Sequence, residues 1–193
     1  MSQNLSGYTR QYFERDQPEY WFSQYDLPRP DMLAAICYAF SVPFRLNDMP
    51  YEPRDTGRVM SIGSGPGFLE KILEGMGCEV IGVDPSPGVR ELYRGMHLQA
   101  DWTGIEQCRT VIFCESLEHV PIEQVRQIWQ EIRDNCQPGT RVIVVNWPQF
   151  FPIDPSGDGW DHITRLDDRL YDELSEGFHV LVRWGSHLVL QKP

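Results

Sequence analysis

The chain has 193 residues, 41% of them apolar and 23% charged, a composition typical of a globular protein with one buried core. Its 17 Lys and Arg residues against 28 Asp and Glu residues give a formal net charge of −11, which disfavours partners with a phosphate backbone. It has no apolar run near the roughly 20 residues of a membrane span and no signal-peptide or paired-cysteine pattern, so we predict a cytoplasmic protein without disulfides or structural metal.

The N-terminal zone, residues 1–57, is rich in aromatic side chains. Seven aromatic residues lie between positions 8 and 25. Pro30 marks a helix start, and apolar residues then repeat at helical spacing as far as Phe40, before a proline-rich stretch, 41–57, that is predicted to be a loop. We predict that residues 1–57 form a helical and aromatic lid. The alternative is that these aromatic side chains only pack against the outside of the fold.

Short apolar strands alternate with amphipathic helices between residues 58 and 146. The predicted strands, in chain order, are 58–62, 79–83, 110–113 and 141–145. Helices are predicted over 68–76, around 89–94 and over 122–136, where apolar residues recur at spacings of 3 and 4. Alternation of this kind predicts a parallel sheet with helices on both faces.

The last part of the chain is predicted to form a loop, a helix and a hairpin. The loop is the Trp-, Pro- and Gly-rich stretch 147–161, and the helix covers residues 166–176. Two strands follow, 179–183 and 187–191, separated by the tight turn Trp184-Gly185-Ser186. Such spacing predicts an antiparallel hairpin at the end of the sheet.

A glycine-rich loop, residues 63–67, lies between the first predicted strand and the helix after it. Glycines at this junction allow a tight turn and let the backbone approach a ligand closely. A dinucleotide fingerprint needs a third glycine where Phe68 stands, and no Gly-Lys-Ser/Thr follows, so neither a dinucleotide nor a Walker-type site is indicated. Asp84 ends the second strand, where its carboxylate can accept hydrogen bonds from both hydroxyls of a ribose. The loop and Asp84 together predict a nucleotide-like ligand.

Four segments resemble, in order and spacing, the motifs of the class I S-adenosylmethionine-dependent methyltransferases. They are residues 59–68, 80–86, 99–102 and 113–121, the last similar to the EHVP stretch that follows the fourth strand of the family. The resemblance implies a Rossmann-like, doubly wound and mostly parallel seven-stranded sheet with a C-terminal antiparallel hairpin. It also implies a methyltransferase core over 58–193, with S-adenosyl-L-methionine as cofactor and S-adenosyl-L-homocysteine as product.

The resemblance further implies which residues hold the cofactor. Asp101 would meet the adenine amino group, Trp102 would pack near the base, and lid tyrosines would lie near the methionine end. The complete implied set is Tyr8, Tyr12, Gly63, Ser64, Gly65, Pro66, Gly67, Asp84, Pro85, Asp101, Trp102 and Glu115. One position departs from the family, which usually carries an acidic residue two positions before the first glycine. That position is Ser61 here.

Methyl transfer from a sulfonium is an in-line displacement that depends mainly on proximity and alignment. A general base is needed only where the acceptor must lose a proton, and the two candidates are His119 and His162. His119 has an alternative role as a helix-start residue that closes the pocket. Glu115, Glu118 and His119 have no further ligand spaced to make a metal site, so no metal is predicted.

We predict a methyltransferase that modifies an O, N or C atom of a small-molecule acceptor. Amino-methylating DNA enzymes carry an Asn/Asp-Pro-Pro-aromatic tetrad after the fourth strand, where this chain has residues 114–117, Cys-Glu-Ser-Leu. The acidic net charge favours the same conclusion. Two alternatives stay open: an RNA or DNA methyltransferase, and a non-catalytic S-adenosylmethionine-binding subunit, which Ser61 would favour.

Overall fold

The computed structural model describes residues 30–41, 55–86, 88–146 and 164–193. The elements within these ranges are α1 Pro30–Phe40, β1 Arg58–Ile62, α2 Phe68–Gly75, β2 Glu79–Val83, β3 Leu98–Gln99, β4 Thr110–Cys114, α3 Ile122–Asn135, β5 Arg141–Val145, α4 Asp168–Ser175, β6 His179–Trp184 and β7 His187–Gln191. Short 3-10 helices cover Ile105–Gln107 and Leu117–His119. Tyr8, Tyr12, the predicted loop over 147–161 and His162 lie outside the described residues.

The strands form one seven-stranded sheet in the order β3-β2-β1-β4-β5-β7-β6. The first five are parallel, whereas β7 runs antiparallel to both β5 and β6. The predicted sheet with its C-terminal hairpin is therefore confirmed. The direction of winding reverses between β1 and β4, and ligands of doubly wound sheets bind at the carboxyl ends of the strands flanking such a reversal.

Strands in the middle of the sheet are buried on both faces, which explains their continuous apolar runs. Every residue of β5 is buried. Met60 and Phe113 point to the side covered by α3 and α4, where Trp129 is fully buried. Val59 and Ile112 point to the opposite side, which is covered by α1 and α2. Successive strand residues alternate between these two layers because the side-chain period of a strand is two.

Helix α1, inside the zone predicted as a lid, packs on the sheet. Ala34, Ala35 and Ala39 are completely buried against it, and small side chains of this kind let the helix approach the strands closely. The guanidinium of Arg141 on β5 donates to the Ser41 hydroxyl at the helix end. The proposed lid role of the preceding residues stays a prediction.

The predicted helix around 89–94 is wrong, because residues 88–92 form turns and residues 93–94 have no regular structure. One bond of α-helical type is made there, from the Tyr93 N–H to the Val89 carbonyl at 2.9 Å, and one of 3-10 type, from the Leu92 N–H to the same carbonyl at 3.0 Å. The Arg94 N–H instead donates to the Pro66 carbonyl at 2.9 Å, which fastens the turn to the glycine loop. Forming one helical turn is unfavourable, because it fixes several backbone dihedrals for a single hydrogen bond. The conformation of such a short segment is therefore decided by its tertiary contacts.

Candidate functional site

The glycine loop needs its glycines for two reasons. Gly63, Gly65 and Gly67 have φ values of 72°, 52° and 80°, a region that L side chains rarely adopt. Space is also absent, since a Cβ on Gly63 would lie 2.3 Å from the Cβ of Ser116. A Cβ on Gly67 would lie 2.7 Å from the ring of Tyr93. The loop therefore presents bare backbone at the carboxyl end of β1.

Asp84 is held rigidly beside this loop, at the end of β2. The Gly65 N–H donates to its Oδ2 at 2.9 Å, and the Ser86 N–H donates to its Oδ1 at 2.8 Å. Burial raises the pKa of the Asp84 carboxyl, while these backbone donors oppose the rise. Each carboxylate oxygen keeps a further lone pair, so the pair can still accept two hydroxyl groups side by side.

A pocket of about 250 Å³ opens at the winding reversal, along the carboxyl ends of β1, β2 and β4. Most of its wall is apolar, as in typical small-molecule sites. Of the predicted site residues, the wall contains Gly63, Gly65, Asp84, Pro85, Trp102, Glu115 and His119. Sequence reasoning missed Gln124 and Ile128, which reach the pocket because α3 begins directly after the EHVP-like segment.

The other described members of the predicted set lie outside this pocket. Ser64 and Pro66 border a smaller cavity under the loop, and Gly67 is the residue before α2. Asp101 is exposed, and its carboxylate accepts from the Thr103 N–H at 2.9 Å. Hydrogen bonds from Thr103 hold the pKa of Asp101 below its usual range. Contact between Asp101 and adenine stays a prediction.

The EHVP-like segment is anchored to the end of β5. The buried Glu118 carboxylate accepts a hydrogen bond from the Asn146 side-chain amide. The Thr164 N–H donates to the Glu118 carbonyl at 3.0 Å, and the Thr164 hydroxyl donates to the Val120 carbonyl at 2.6 Å. His119, whose Nε2 lies 4.0 Å from Glu118 Oε1, is thereby held on the pocket wall.

Glu115, directly after β4, has a left-handed backbone with φ of 51°. This conformation is unfavourable for a residue with a side chain, and such strain is concentrated at functional sites. Its N–H donates to the Val145 carbonyl at 2.8 Å, which helps to fix it there. Glu115 borders both the large pocket and the small cavity under the loop.

Ser61, at the position where the family usually has an acid, lies close to a different acid. Its side chain lines the small cavity under the loop together with Glu70, in the first turn of α2. Glu70 is only 1% exposed. Burial raises the pKa of the Glu70 carboxyl to about 7, and the nearby Ser61 hydroxyl opposes the rise. In the sequence, the signal for this proximity is Glu70 itself, which follows the apolar residues Phe68 and Leu69 at the start of the helix.

Residues 42–176 match a family of methyltransferase domains. The chain belongs to this family. The glycopeptide N-methyltransferase MtfA complexed with sinefungin is 16% identical, with 71% of this chain and 81% of that chain covered and a TM-score of 0.51. The mitomycin 7-O-methyltransferase MmcR is 17% identical, with 71% of this chain and 49% of that chain covered and a TM-score of 0.52. The N-methyltransferase NodS from Bradyrhizobium japonicum is 13% identical, with 71% of this chain and 86% of that chain covered and a TM-score of 0.51. Among curated proteins, no sequence matches the chain.

Family membership confirms that the protein is an enzyme of the methyltransferase class. MtfA has also been solved with (S)-adenosyl-L-methionine. These structures confirm the predicted fold, and membership of the methyltransferase family confirms the predicted methyl donor, S-adenosylmethionine. At such low identities, the structural likenesses establish the fold alone. No described helix is long and apolar enough to cross a membrane, and the described residues contain no cluster of metal-binding side chains.

Proposed function

We propose that this methyltransferase transfers the methyl group of S-adenosylmethionine to an O, N or C atom of a small-molecule acceptor. The observation that carries the proposal is the pocket at the winding reversal. There, the bare glycine loop and the Asp84 carboxylate stand at one end, with Glu115 and His119 on the remaining wall. When bound, the cofactor supplies an electrophilic methyl group on a sulfonium.

The residues present fit such a cofactor. Asp84 would accept hydrogen bonds from the two ribose hydroxyls, through the lone pairs that its backbone donors leave available. Trp102 and Pro85 offer flat apolar surfaces for the adenine ring. The backbone of Gly63 and Gly65 allows close approach of the remaining chain of the cofactor, because neither residue carries a side chain.

A small-molecule acceptor is supported by the net charge of −11, which repels nucleic-acid backbones. Proteins of the same fold include one named for a glycopeptide and one named for mitomycin. His119 is the described candidate for a general base, because its ring borders the pocket. It would accept the proton of a hydroxyl acceptor as the methyl group arrives, or the proton of an ammonium acceptor before the transfer, because the attacking nitrogen needs a free lone pair.

Calorimetry with S-adenosylmethionine, followed by measurement of S-adenosylhomocysteine formation with a panel of small acceptors, tests the proposal. Asp84→Asn should weaken donor binding at least about tenfold, because hydrogen bonds to a charged acceptor contribute about 1.5–3 kcal/mol each. Asp134→Asn, an exposed carboxylate at the end of α3, is the matched control and should leave binding unchanged.

Each outcome has a distinct meaning. Failure of the folded protein to bind millimolar S-adenosylmethionine would overturn the proposal. Binding without turnover over the whole panel would favour the non-catalytic subunit. Polynucleotide affinity that falls steeply with salt would favour an RNA or DNA substrate instead.

A further inference from the structure

A second, smaller cavity lies directly beneath the glycine loop. It encloses about 40 Å³ and shares Gly63 and Glu115 with the wall of the large pocket. Its other polar wall residues are Ser61, Ser64 and Glu70, and the rest of the wall is mostly apolar. A water molecule needs roughly 10–15 Å³ by this kind of measure, so the cavity has room for an ammonium group or a few waters.

Polar atoms in this cavity have hydrogen-bonding capacity that the described residues do not use. Glu70 Oε2 and Ser64 Oγ are buried and have no hydrogen-bond partner among the described residues. A buried carboxylate costs several kcal/mol unless a cation or hydrogen-bond donors compensate it. A group that enters the cavity with positive charge and several donors would offset this cost.

The electrostatic surroundings of Glu70 are acidic on most sides. Burial is the largest cause of the raised pKa of Glu70, and the negative charges of Asp84, directly after β2, and of Glu74, on α2, raise it further. Tyr93, which follows β2, contributes a neutral hydroxyl, because burial raises its pKa. From the end of β4, Glu115 shares the cavity wall.

The neighbouring helices add little positive charge. Asp31 on α1 accepts a weak hydrogen bond from the Cys114 thiol at 3.8 Å. The Arg94 guanidinium lies outside α2, 4.6 Å from the centre of the Phe68 ring. Lys71, the next residue on α2, is exposed. A cationic ligand would therefore complement the cavity.

We infer that Glu70, supported by Ser61, is the acidic group that receives the α-ammonium of the bound methyl donor. Ser61 on β1, the position of the usual family carboxylate, and Glu70 in the first turn of α2 line the same cavity. This inference rests on the proposed donor site. It assigns a binding role to a residue that is nine positions away from the family's usual acid.

The geometry supports this assignment because Ser61 and Glu70 line the same small cavity. A ligand extending along the loop past Gly63 passes from the large pocket towards the small cavity, since both are bordered by that residue. An ammonium offers three donors, which suits the free capacity of Glu70 and Ser64. The apolar part of the wall limits competition from water and strengthens the attraction.

The test is calorimetric titration of wild-type protein and Glu70→Gln with two ligands. S-adenosylmethionine carries the ammonium, whereas 5′-methylthioadenosine lacks the amino-acid end altogether. Glu70→Gln should weaken S-adenosylmethionine binding about tenfold or more, the usual loss for a charged hydrogen bond, and leave 5′-methylthioadenosine binding unchanged. Glu176→Gln, an exposed carboxylate directly after α4 that borders neither cavity, is the matched control and should change neither. Ser61→Asp combined with Glu70→Gln restores a carboxylate on β1 and should recover the lost affinity.

The pH profile gives a second readout. If only ionised Glu70, whose pKa burial raises to about 7, holds the ammonium, affinity for S-adenosylmethionine should rise about five- to sixfold between pH 6.0 and 7.5. The gain from ionising Glu70 is partly offset because the α-amino group of the ligand begins to lose its proton in this range. Glu70→Gln should show a smaller rise, and the difference isolates Glu70 from other titrating groups such as His119.

The outcomes separate this inference from the proposed function. Equal loss of both ligands in Glu70→Gln, or no loss of either, overturns the role of Glu70 while leaving the donor site intact. Failure of wild-type protein to bind either ligand removes the proposed donor site itself. A thermal melt of each variant establishes that the comparison is made between folded proteins.

Discussion

Gly63→Ala should destabilise the protein by much more than a glycine substitution elsewhere at similar φ. The left-handed backbone alone costs about 1–2 kcal/mol for alanine. The new Cβ would also lie 2.3 Å from the Ser116 Cβ, far inside van der Waals contact. Ser116 cannot simply turn away, because its hydroxyl donates to the Ile62 carbonyl at 2.6 Å. Forced overpacking adds about 1–3 kcal/mol, so a total of about 2–5 kcal/mol is expected.

Gly77→Ala is the internal control, since Gly77 has φ of 91° but nothing within 4 Å of the added Cβ. It should cost only the backbone term of about 1–2 kcal/mol. Urea unfolding followed by circular dichroism would measure both. In Gly63→Ala combined with Ser116→Gly, the contact disappears, and a coupling of about 1–3 kcal/mol should emerge from the double-mutant cycle. Equal destabilisation by the two single substitutions, with no coupling to Ser116, would refute the packing argument.

Three further predictions concern the buried acid, the candidate base and the core. Burial raises the Glu70 pKa from 4.5 in the unfolded chain to about 7 in the folded protein, so folding favours the protonated side chain. The contribution of Glu70 to the free energy of unfolding is therefore complete below pH 4.5 and is lost as the pH rises through about 7. Without ligand, the free energy of unfolding of Glu70→Gln should exceed that of wild type by up to about 3 kcal/mol at pH 8 and equal it at pH 4, as measured by urea titration. A higher free energy of unfolding for wild type at pH 8 would contradict this prediction. His119→Asn should lower kcat by about 10²–10⁴-fold for acceptors that must lose a proton and by far less for those that need not, and a uniform loss would leave only a structural role. Trp129→Phe should cost about 2–4 kcal/mol in chemical denaturation, since it removes buried volume and the indole N–H that donates to the Leu174 carbonyl at 2.9 Å; a loss below about 1 kcal/mol would mean that the site repacks.

Local patterns were sufficient for the main elements of the sheet. The predicted bounds of β1, β2 and β5 are those observed, Arg58–Ile62, Glu79–Val83 and Arg141–Val145. Strands buried on both faces produce continuous apolar runs that end at glycines and polar residues. The hairpin was likewise visible as two short strands around Trp184-Gly185-Ser186.

Part of the candidate site was also readable along the chain. The glycine loop and Asp84 each follow a predicted strand, and the carboxyl ends of parallel strands meet at one edge of the sheet. Their proximity therefore follows from topology, and the structure brings the Gly65 N–H to 2.9 Å from Asp84. The strand β3 was missed because Leu98–Gln99 is too short to show a period.

By itself, the sequence determined the bounds of β1, β2 and β5 and the position of the ligand loop, because periodicity, glycine and proline act within a few residues. Only the tertiary structure decided what surrounds each polar side chain. It placed Asp101 in an exposed turn and Glu70 inside the protein beside Ser61. Burial depends on which distant elements pack together, and helix α2 turns Glu70 inward only because β1 and the loop lie beneath it. A carboxylate absent from its usual place in the sequence can for that reason be present in the site.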